Sequence, residues 1–436
     1  MNAPVIFNNN CERLALCKPG KPACYQRIQS DEVASVTIDA AIIVVTYNHA
    51  RYIGDCLSSL LALDPAPSEL VVVDNASRDA TAKIVKNQFP QVRFVQTGAN
   101  LGFAGGCNQG ARLTSAEYIV LANPDLIVQP DWLEQLIAPL ERWPSVGAVG
   151  GKLLYRDGTT IQHAGGVLRL PWGLGHHRGV GEHDHGQYNA LETVDYVTGA
   201  AFACRRSTWD VLDGLDEQFY PAYYEEVDFC TRLRRASLDV LYTPRAVATH
   251  IEGSSVGHRS AVYLQLYHFN RLRYLFKYFN NTWLMRTWLP AEMGHIRACA
   301  SDDEIQALKI AYLAYQSAFL NHESQPVISE LDIFPDETAD GGETELQWIE
   351  RQLRAKVKVE PAPIPARQRW LGAIRNGLLR LATRDFIVPI VQAQNDTNAA
   401  LLESIQALSR QRRAADATIL LQGMLLAKSL DQQPKA

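Results

Sequence analysis

The sequence has no apolar run near the roughly 18 residues that a membrane-crossing helix needs. Its best candidates, Ile42–Val45 and Phe386–Val391, are far shorter. The N-terminus has no basic stretch followed by an apolar one, so no signal peptide is expected. A basic surplus is also missing: 42 Lys+Arg stand against 47 Asp+Glu, for a net charge of -5 and a pI near 6.1. That excludes a chain binding nucleic acid through an all-basic surface. Eight cysteines are present, at 11, 17, 24, 56, 107, 204, 230 and 299, and no two form a C-x-x-C pair. A soluble, cytosolic protein with reduced thiols is expected, any membrane contact being peripheral. Neither a G-x-G-x-x-G fingerprint nor a G-x-x-x-x-G-K-[ST] loop occurs, which lowers the dinucleotide-oxidoreductase and NTPase readings.

What is there is an ordinary globular balance, 47% hydrophobic and 20% charged over 436 residues, enough for two or three domains. Residues 1–38 show no sustained period and read as an N-terminal arm. Residues 39–280 carry the alternating pattern of a central domain, and 281–322 a helical segment packed on it. Residues 323–360 read as an acidic linker: eight acidic and no basic residues fall between Glu323 and Glu345. Residues 361–436 reverse the sign, with ten Lys/Arg against five Asp/Glu. They read as a basic helical tail that oligomerises or lies on a membrane.

Within the central domain, Ala41–Thr46, Leu70–Asp74, Val92–Gln96 and Tyr118–Ala122 are short apolar, β-branched runs, as expected of strands buried on both faces. Helical segments at 52–63, 80–89 and 104–113 separate them, which implies βαβ units and a mostly parallel sheet. Gly173–Gly186 reads as a mobile loop. A parallel sheet puts its ligand crevice at the carboxyl ends of its strands. Four polar clusters stand there: Thr46-Tyr47-Asn48, Asp74 to Ser77, Asn100 to Asn108, and Asn123-Pro124-Asp125. Each alone reads as a turn or cap; together they point into one crevice.

The chemistry follows from residue type. Asp74 at a strand tip suits a nucleobase or ribose. Gly102, Gly105 and Gly106 let backbone approach a ligand and open a helix whose N-terminus suits a diphosphate. Asp125, after a buried strand, is placed to hold Mg²⁺ or Mn²⁺ against phosphate oxygens.

Ile43-Val-Val-Thr-Tyr-Asn48, Val72-Val-Asp-Asn-Ala-Ser77, the Asn100–Asn108 run and Leu121-Ala-Asn-Pro-Asp125 resemble successive motifs of family 2 glycosyltransferases, in the rhamnosyltransferase-like branch. Val197-Thr-Gly-Ala200, Leu215-Asp-Glu217, the run from Tyr223 to Arg234, and His250 with Gly253-Ser254-Ser255 continue the likeness in order. It covers roughly 40–280. The resemblance implies a GT-A fold, an α/β architecture with a mostly parallel central sheet and here a C-terminal α-helical extension. It implies an inverting, metal-dependent transfer of rhamnose or a related sugar. The donor would be a nucleotide sugar such as dTDP-rhamnose, and the acceptor a hydroxyl of a glycan or lipid-linked precursor of surface polysaccharide. The work would be done in the cytoplasm, at the inner face of the membrane.

In such families Asn-Pro-Asp stands in for a D-x-D motif, so Asp125 would be the chief metal ligand, joined by His250. Asn123 here replaces the first acid. Thr46, Tyr47, Asn48, Asp74, Asn100, Gly102, Gly106, Asn108 and Asn123 would bind the donor nucleotide. Glu226 would be the base, with Glu225 as the alternative. Asp228 and Arg232 read as an i,i+4 ion pair.

His176, His177, His183 and His185 lack zinc-site framing and read as an acceptor-side loop. The aromatics from Tyr263 to Phe279 read as a packed helix under the acceptor site. In the tail, Leu401, Leu402, Ile405, Leu408, Ile419, Leu420, Met424 and Leu425 have helical spacing that fits helix–helix assembly into a homo-oligomer. Two rival readings stand beside the enzyme: a non-catalytic glycan-binding or assembly subunit, and a sugar nucleotidyltransferase, whose G-x-G-T-R-type loop is missing.

Overall fold

The computed structural model describes residues 37–251, 260–299, 301–320 and 388–431. The expected arm (apart from Thr37 and Ile38), the Gly253–Ser255 motif, the acidic linker at 323–360 and residues 361–387 of the tail lie outside them.

The chain opens as β1 (Thr37–Thr46), α1 (Ile53–Leu61), β2 (Ala66–Asp74), α2 (Thr81–Gln88), β3 (Arg93–Gln96), α3 (Gly102–Arg112) and β4 (Tyr118–Ala122). These match the expected elements to within a few residues at each end. Then come β5 (Leu126–Val128), α4 (Trp132–Arg142), β6 (Val146–Leu154), β7 (Ile161–His163), β8 (Gly166–Arg169), β9 (Leu174–His177), β10 (Glu192–Thr193) and β11 (Ala201–Arg205). After α5 (Arg206–Val211), α6 (Glu225–Arg235) and β12 (Asp239–His250), the rest is helical: α7 (Ala261–Tyr278), α8 (Asn281–Trp283), a π turn (Leu284–Trp288), α9 (Leu289–Ala298), α10 (Asp302–Leu320) and α11 (Val388–Asp431).

Ten strands form one sheet in the order β10-β12-β6-β11-β4-β1-β2-β3, with β5 on β12 and β7 on β6. Strands β1, β2, β3, β4, β6 and β12 run one way, and the shorter β5, β7, β10 and β11 run against them. The sheet is therefore mixed but mostly parallel. The chain winds β1-β2-β3 to one side, then returns through α3 to place β4 on the other side of β1. That reversal is a switch point, and the crevice it opens lies beyond Thr46 and Ala122.

The run Ala40–Val45 is buried throughout because β1 lies mid-sheet with helices on both faces. Ile42 and Val44 meet Ile53, Leu57, Val72 and Trp132 on one side; Ile43 and Val45 meet Ala104, Cys107 and Val73 on the other. Each such side chain stabilises the fold by about 1.5–3 kcal/mol relative to exposure.

A third core joins α7, α9, α10 and α11 through Leu272, Ile296, Leu308, Tyr312, Leu421 and Met424. Here the tail departs from expectation. Met424 and Leu425 bury within the chain, with Arg413–Asp302 and Lys309–Asp416 pairs alongside, whereas Leu408 and Ile419 are 66% and 65% exposed. The Gly173–Gly186 stretch is also not wholly a loop, since β9 pairs with β8 as a hairpin. No described helix is long and apolar enough to cross a membrane.

Candidate active site

One cleft of about 590 Å³ opens at the carboxyl ends of β1 and β4. Thr46, Tyr47, Asn48, Asn100, Gly102, Asn123, Asp125, Glu225, Glu226 and His250 all line it. The strand-end clusters thus converge, and Asp125 and Glu226 share one cavity.

The loop after β1 is tied to the loop after β2 by side chains. Asn48, in left-handed backbone at φ 61, donates its N–H to Ser77 Oγ at 2.9 Å, and its Oδ1 accepts from Arg78 N at 2.8 Å. The N–H groups of His49 and Ala50 reach Thr81 Oγ1 and Asp79 Oδ2. This rigid corner presents Tyr47 and His49. The N–H of Tyr47 donates to His49 Nδ1 at 3.1 Å, leaving Nε2 to carry the ring proton. Burial holds the His49 pKa below the usual range, so the ring is neutral.

Three expected nucleotide contacts turn away from the cleft. Asp74 is fully buried and accepts from Ser77 N at 3.1 Å and Gln96 Nε2 at 3.1 Å. It holds two loops together instead of facing a base. Asn108 clamps the chain at 215–217, accepting from Leu215 N and donating to Leu215 O and Glu217 Oε1. Gly106 is a packing residue: a Cβ there would come within 2.6 Å of Val45 Cγ1. None of the three lines the cavity.

The N-terminus of α3 is likewise not open to a diphosphate. The Gly102 N–H donates to Asn100 Oδ1 at 3.0 Å and the Phe103 N–H to Pro221 O at 2.7 Å. Gly102 sits at φ +72, and a Cβ would lie 2.8 Å from Pro221 O, so the close approach demands glycine.

Asn75 belongs to the Asp74–Ser77 cluster and lines the cleft, although it is not among the expected nucleotide contacts. Its Nδ2 donates to Gly102 O at 2.8 Å, while its buried Oδ1 has no partner. A buried orphan acceptor on a cavity wall is a place for a ligand donor.

Asp125 and His250 come together from β4 and β12, with His250 Nε2 3.0 Å from Asp125 Oδ1. Gln162, on the three-residue β7, places Oε1 2.6 Å from His250 Nδ1. An amide oxygen accepts only, so Nδ1 carries the proton. Nε2 then turns its lone pair toward the Asp125 carboxylate and toward Asn123 Nδ2, 3.3 Å away. A carboxylate and an imidazole lone pair facing each other form a half-site for a proton or a divalent cation, with the distal ring nitrogen held as metal-bound histidines usually are. Among the described residues no third His, Cys, Asp or Glu completes a cluster.

Glu225 and Glu226 open α6 after a turn in which Tyr223 and Tyr224 both take left-handed backbone, at φ 78 and 74. Such non-glycine outliers cost about 1–3 kcal/mol each and gather at functional sites. Glu225 Oε2 and Glu226 Oε2 are buried without partners. Burial raises the Glu226 pKa to about 7. Glu225 rises well above the usual range through burial and the neighbouring Glu226 charge. Asp228, by contrast, is held by Arg232 at 2.8 Å, the expected i,i+4 pair.

His176 and His177 line the cleft from the β8–β9 hairpin. His183 and His185 stack on each other and do not line the cleft. Gln162 stands in a stretch where no motif marks it; Thr198 lies in the Val197–Ala200 motif and His49 directly follows a marked cluster, though neither is among the residues assigned a role from sequence.

Comparison with known proteins bears on this geometry. Residues 41–212 match Glycosyl transferase family 2. The chain is 27% identical over 254 residues to an N-acetylglucosaminyl-diphospho-decaprenol L-rhamnosyltransferase of Mycobacterium tuberculosis, spanning 52% of this chain and 80% of that protein. It is 30% identical over 228 residues to an uncharacterized protein of Sinorhizobium fredii, where the match spans 50% of this chain but only 25% of the relative. A mannosyltransferase from Pyrobaculum calidifontis, solved with GDP-Man and Mn²⁺, aligns over 92% of this chain and 89% of its own at 16% identity and a TM-score of 0.41. That likeness is too low to bear on the site. The likeness to Glycosyl transferase family 2 covers residues 41–212, under half of the chain.

Proposed function

We propose that this protein moves a sugar, rhamnose or a related one, from a nucleoside-diphosphate donor to a hydroxyl of a glycan or lipid-linked acceptor, with inversion and with help from Mg²⁺ or Mn²⁺. The observation that carries the reading is one cleft holding both the Asp125–His250 half-site and Glu226, whose buried Oε2 has no partner. The named activity of the mycobacterial relative supports the sugar and a lipid-linked acceptor, and with them a role in surface polysaccharide synthesis.

Inversion needs a base on the side opposite the leaving diphosphate. Glu226 takes the proton of the attacking hydroxyl as its oxygen bonds to the anomeric carbon and the bond to the diphosphate breaks. A carboxylate with one buried oxygen free of hydrogen bonds and a pKa raised to about 7 suits that task. Glu225, whose pKa burial and the Glu226 charge push well above the usual range, keeps its proton beside it. Asp125 and His250 fit a divalent cation as two of its ligands, leaving the remaining positions to water and phosphate oxygens; a bound cation would neutralise the departing charge. Thr46, Asn48, Asn75 and Asn100 offer the polar wall for the nucleoside.

A thermal-shift panel of dTDP-, UDP- and GDP-sugars with and without Mn²⁺, followed by turnover assays, tests this. Asp125→Ala is expected to abolish the metal-dependent donor shift. Glu226→Gln is expected to keep that shift and lose turnover. Unchanged turnover in both variants would defeat the reading.

A further inference from the structure

Beside the glutamate pair the wall of the cleft changes from amides to aromatic rings. Tyr223 leads into Glu225 and Glu226, and its ring meets Tyr263 edge to face, with centroids 5.1 Å apart. Tyr263 in turn stacks on Tyr267 at 5.7 Å with the planes 24° apart. Tyr196 and Leu266 line the same cavity. These rings come from three separate parts of the chain, so one helix packing its own apolar stripe does not account for them.

Charge sharpens the point. Among the described residues that line the cleft, none is Lys or Arg, and Asp125, Glu225 and Glu226 supply its carboxyl groups. A donor diphosphate can share a cation with Asp125. A second phosphate, or a carboxylate, placed by the glutamates would meet the Glu226 carboxylate with no Lys or Arg among the described lining residues to offset it. An uncharged pyranose has what this wall lacks: a C–H face for the rings and hydroxyl donors for the orphan carboxylate oxygens.

We infer that Tyr223, Tyr263 and Tyr267 form an acceptor subsite for an uncharged pyranose ring, with any phosphate or lipid of the acceptor lying outside the cleft. This inference rests on the glycosyltransferase reading above and adds the chemical class of the acceptor moiety.

Saturation-transfer NMR and titration on the full-length protein with Mn²⁺ and a nucleoside diphosphate provide the test. The probes are neutral octyl glycosides of N-acetylglucosamine, glucose, galactose and rhamnose, set against N-acetylglucosamine 1-phosphate. At least one neutral glycoside is expected to bind, and at least fivefold tighter than the phosphate. Tyr263→Leu is expected to weaken it at least fivefold, while Tyr263→Phe, which keeps the ring, retains it. Should Tyr263→Leu misfold, Tyr223→Leu measures the same dependence on a ring. Binding of none of the glycosides, tighter binding of the phosphate, or indifference to loss of the rings would each overturn the inference. Donor binding separates the two failures. If the nucleotide-sugar panel gives no metal-dependent shift, the transferase reading fails. If that shift is intact but the rings do not matter, only the acceptor subsite fails.

Discussion

The hydroxyl of Tyr224 donates to the carbonyl oxygen of Gly173 at 2.7 Å and accepts the N–H of Gly175 at 3.3 Å. One phenol therefore ties the strained turn before the glutamate pair to the β8–β9 hairpin across the cleft. Tyr267 adds a bond to Gly175 O at 3.1 Å. The left-handed backbone at Tyr223 and Tyr224 persists only if its surroundings over-determine it, and this tether does so.

Tyr224→Phe leaves the ring packed but strands two buried backbone groups, at about 1–3 kcal/mol for each group left unsatisfied. The expected outcome is a lower melting temperature together with about a tenfold drop in kcat, because slight misplacement of a reacting group is costly. Affinity for the nucleotide should stay as it is. Calorimetry and steady-state kinetics on the same preparation check the three together.

Gln162 tests the half-site without touching a metal ligand. Gln162→Leu removes the acceptor from His250 Nδ1 and frees the ring to turn. Loss of such a supporting partner generally costs about 10–100-fold in metal affinity. Titrating the Mn²⁺-dependent thermal shift in variant and parent measures it. An unchanged affinity would mean that His250 is oriented by Asp125 and Asn123 alone.

How much of this could be read beforehand depends on what each residue faces. The strands β1, β2 and β4 were legible because helices cover both faces of the sheet, so Ile42 to Val45 had to be apolar without interruption. The short β7 was not, since three residues set no period, and Gln162 went with it. Asp74 and Asn108 show a different limit. Both are the right types at the right strand ends, yet both turn their oxygens to the chain's own amides. An acceptor that suits a ligand donor equally suits a backbone N–H, and only the fold decides between them. The Glu225–Glu226 pair, whose assignment rests on the resemblance, lines the cleft with one buried oxygen of each side chain unpartnered.

The ion pair of Arg271 with Glu292 is fully buried, and Arg271 also donates to Trp172 O at 2.8 Å. Tyr312 donates to Glu292 as well. The pair fastens α7, α9 and α10 to the turn of the hairpin. Arg271→Met leaves a carboxylate uncompensated in the interior, which typically costs about 3–5 kcal/mol. Adding Glu292→Leu removes that charge and should restore a large part of the loss. Denaturant melts of the single and double variants decide it; a double variant no more stable than Arg271→Met would show that the links to Trp172 and Tyr312 matter more than charge balance.

Glu226 gives the pH dependence its sign. Burial raises its pKa from 4.5 to about 7, and a base works only when deprotonated. The value of kcat/KM should therefore rise about tenfold per pH unit below that point and level off above it. Stability runs the other way. Between about 4.5 and about 7 the folded chain keeps a proton that the unfolded chain has released, so unfolding becomes easier as pH rises through this window. Glu226→Gln removes the titration altogether. It should abolish turnover and yet raise the melting temperature by about 2–4 °C at pH 8, with the gain vanishing at pH 5. A carboxylate held by a structural partner would give the opposite result, losing stability on substitution at pH 8. Thermal melts of parent and variant across that range distinguish a base kept ready in a dry cleft from an acid that merely anchors a helix.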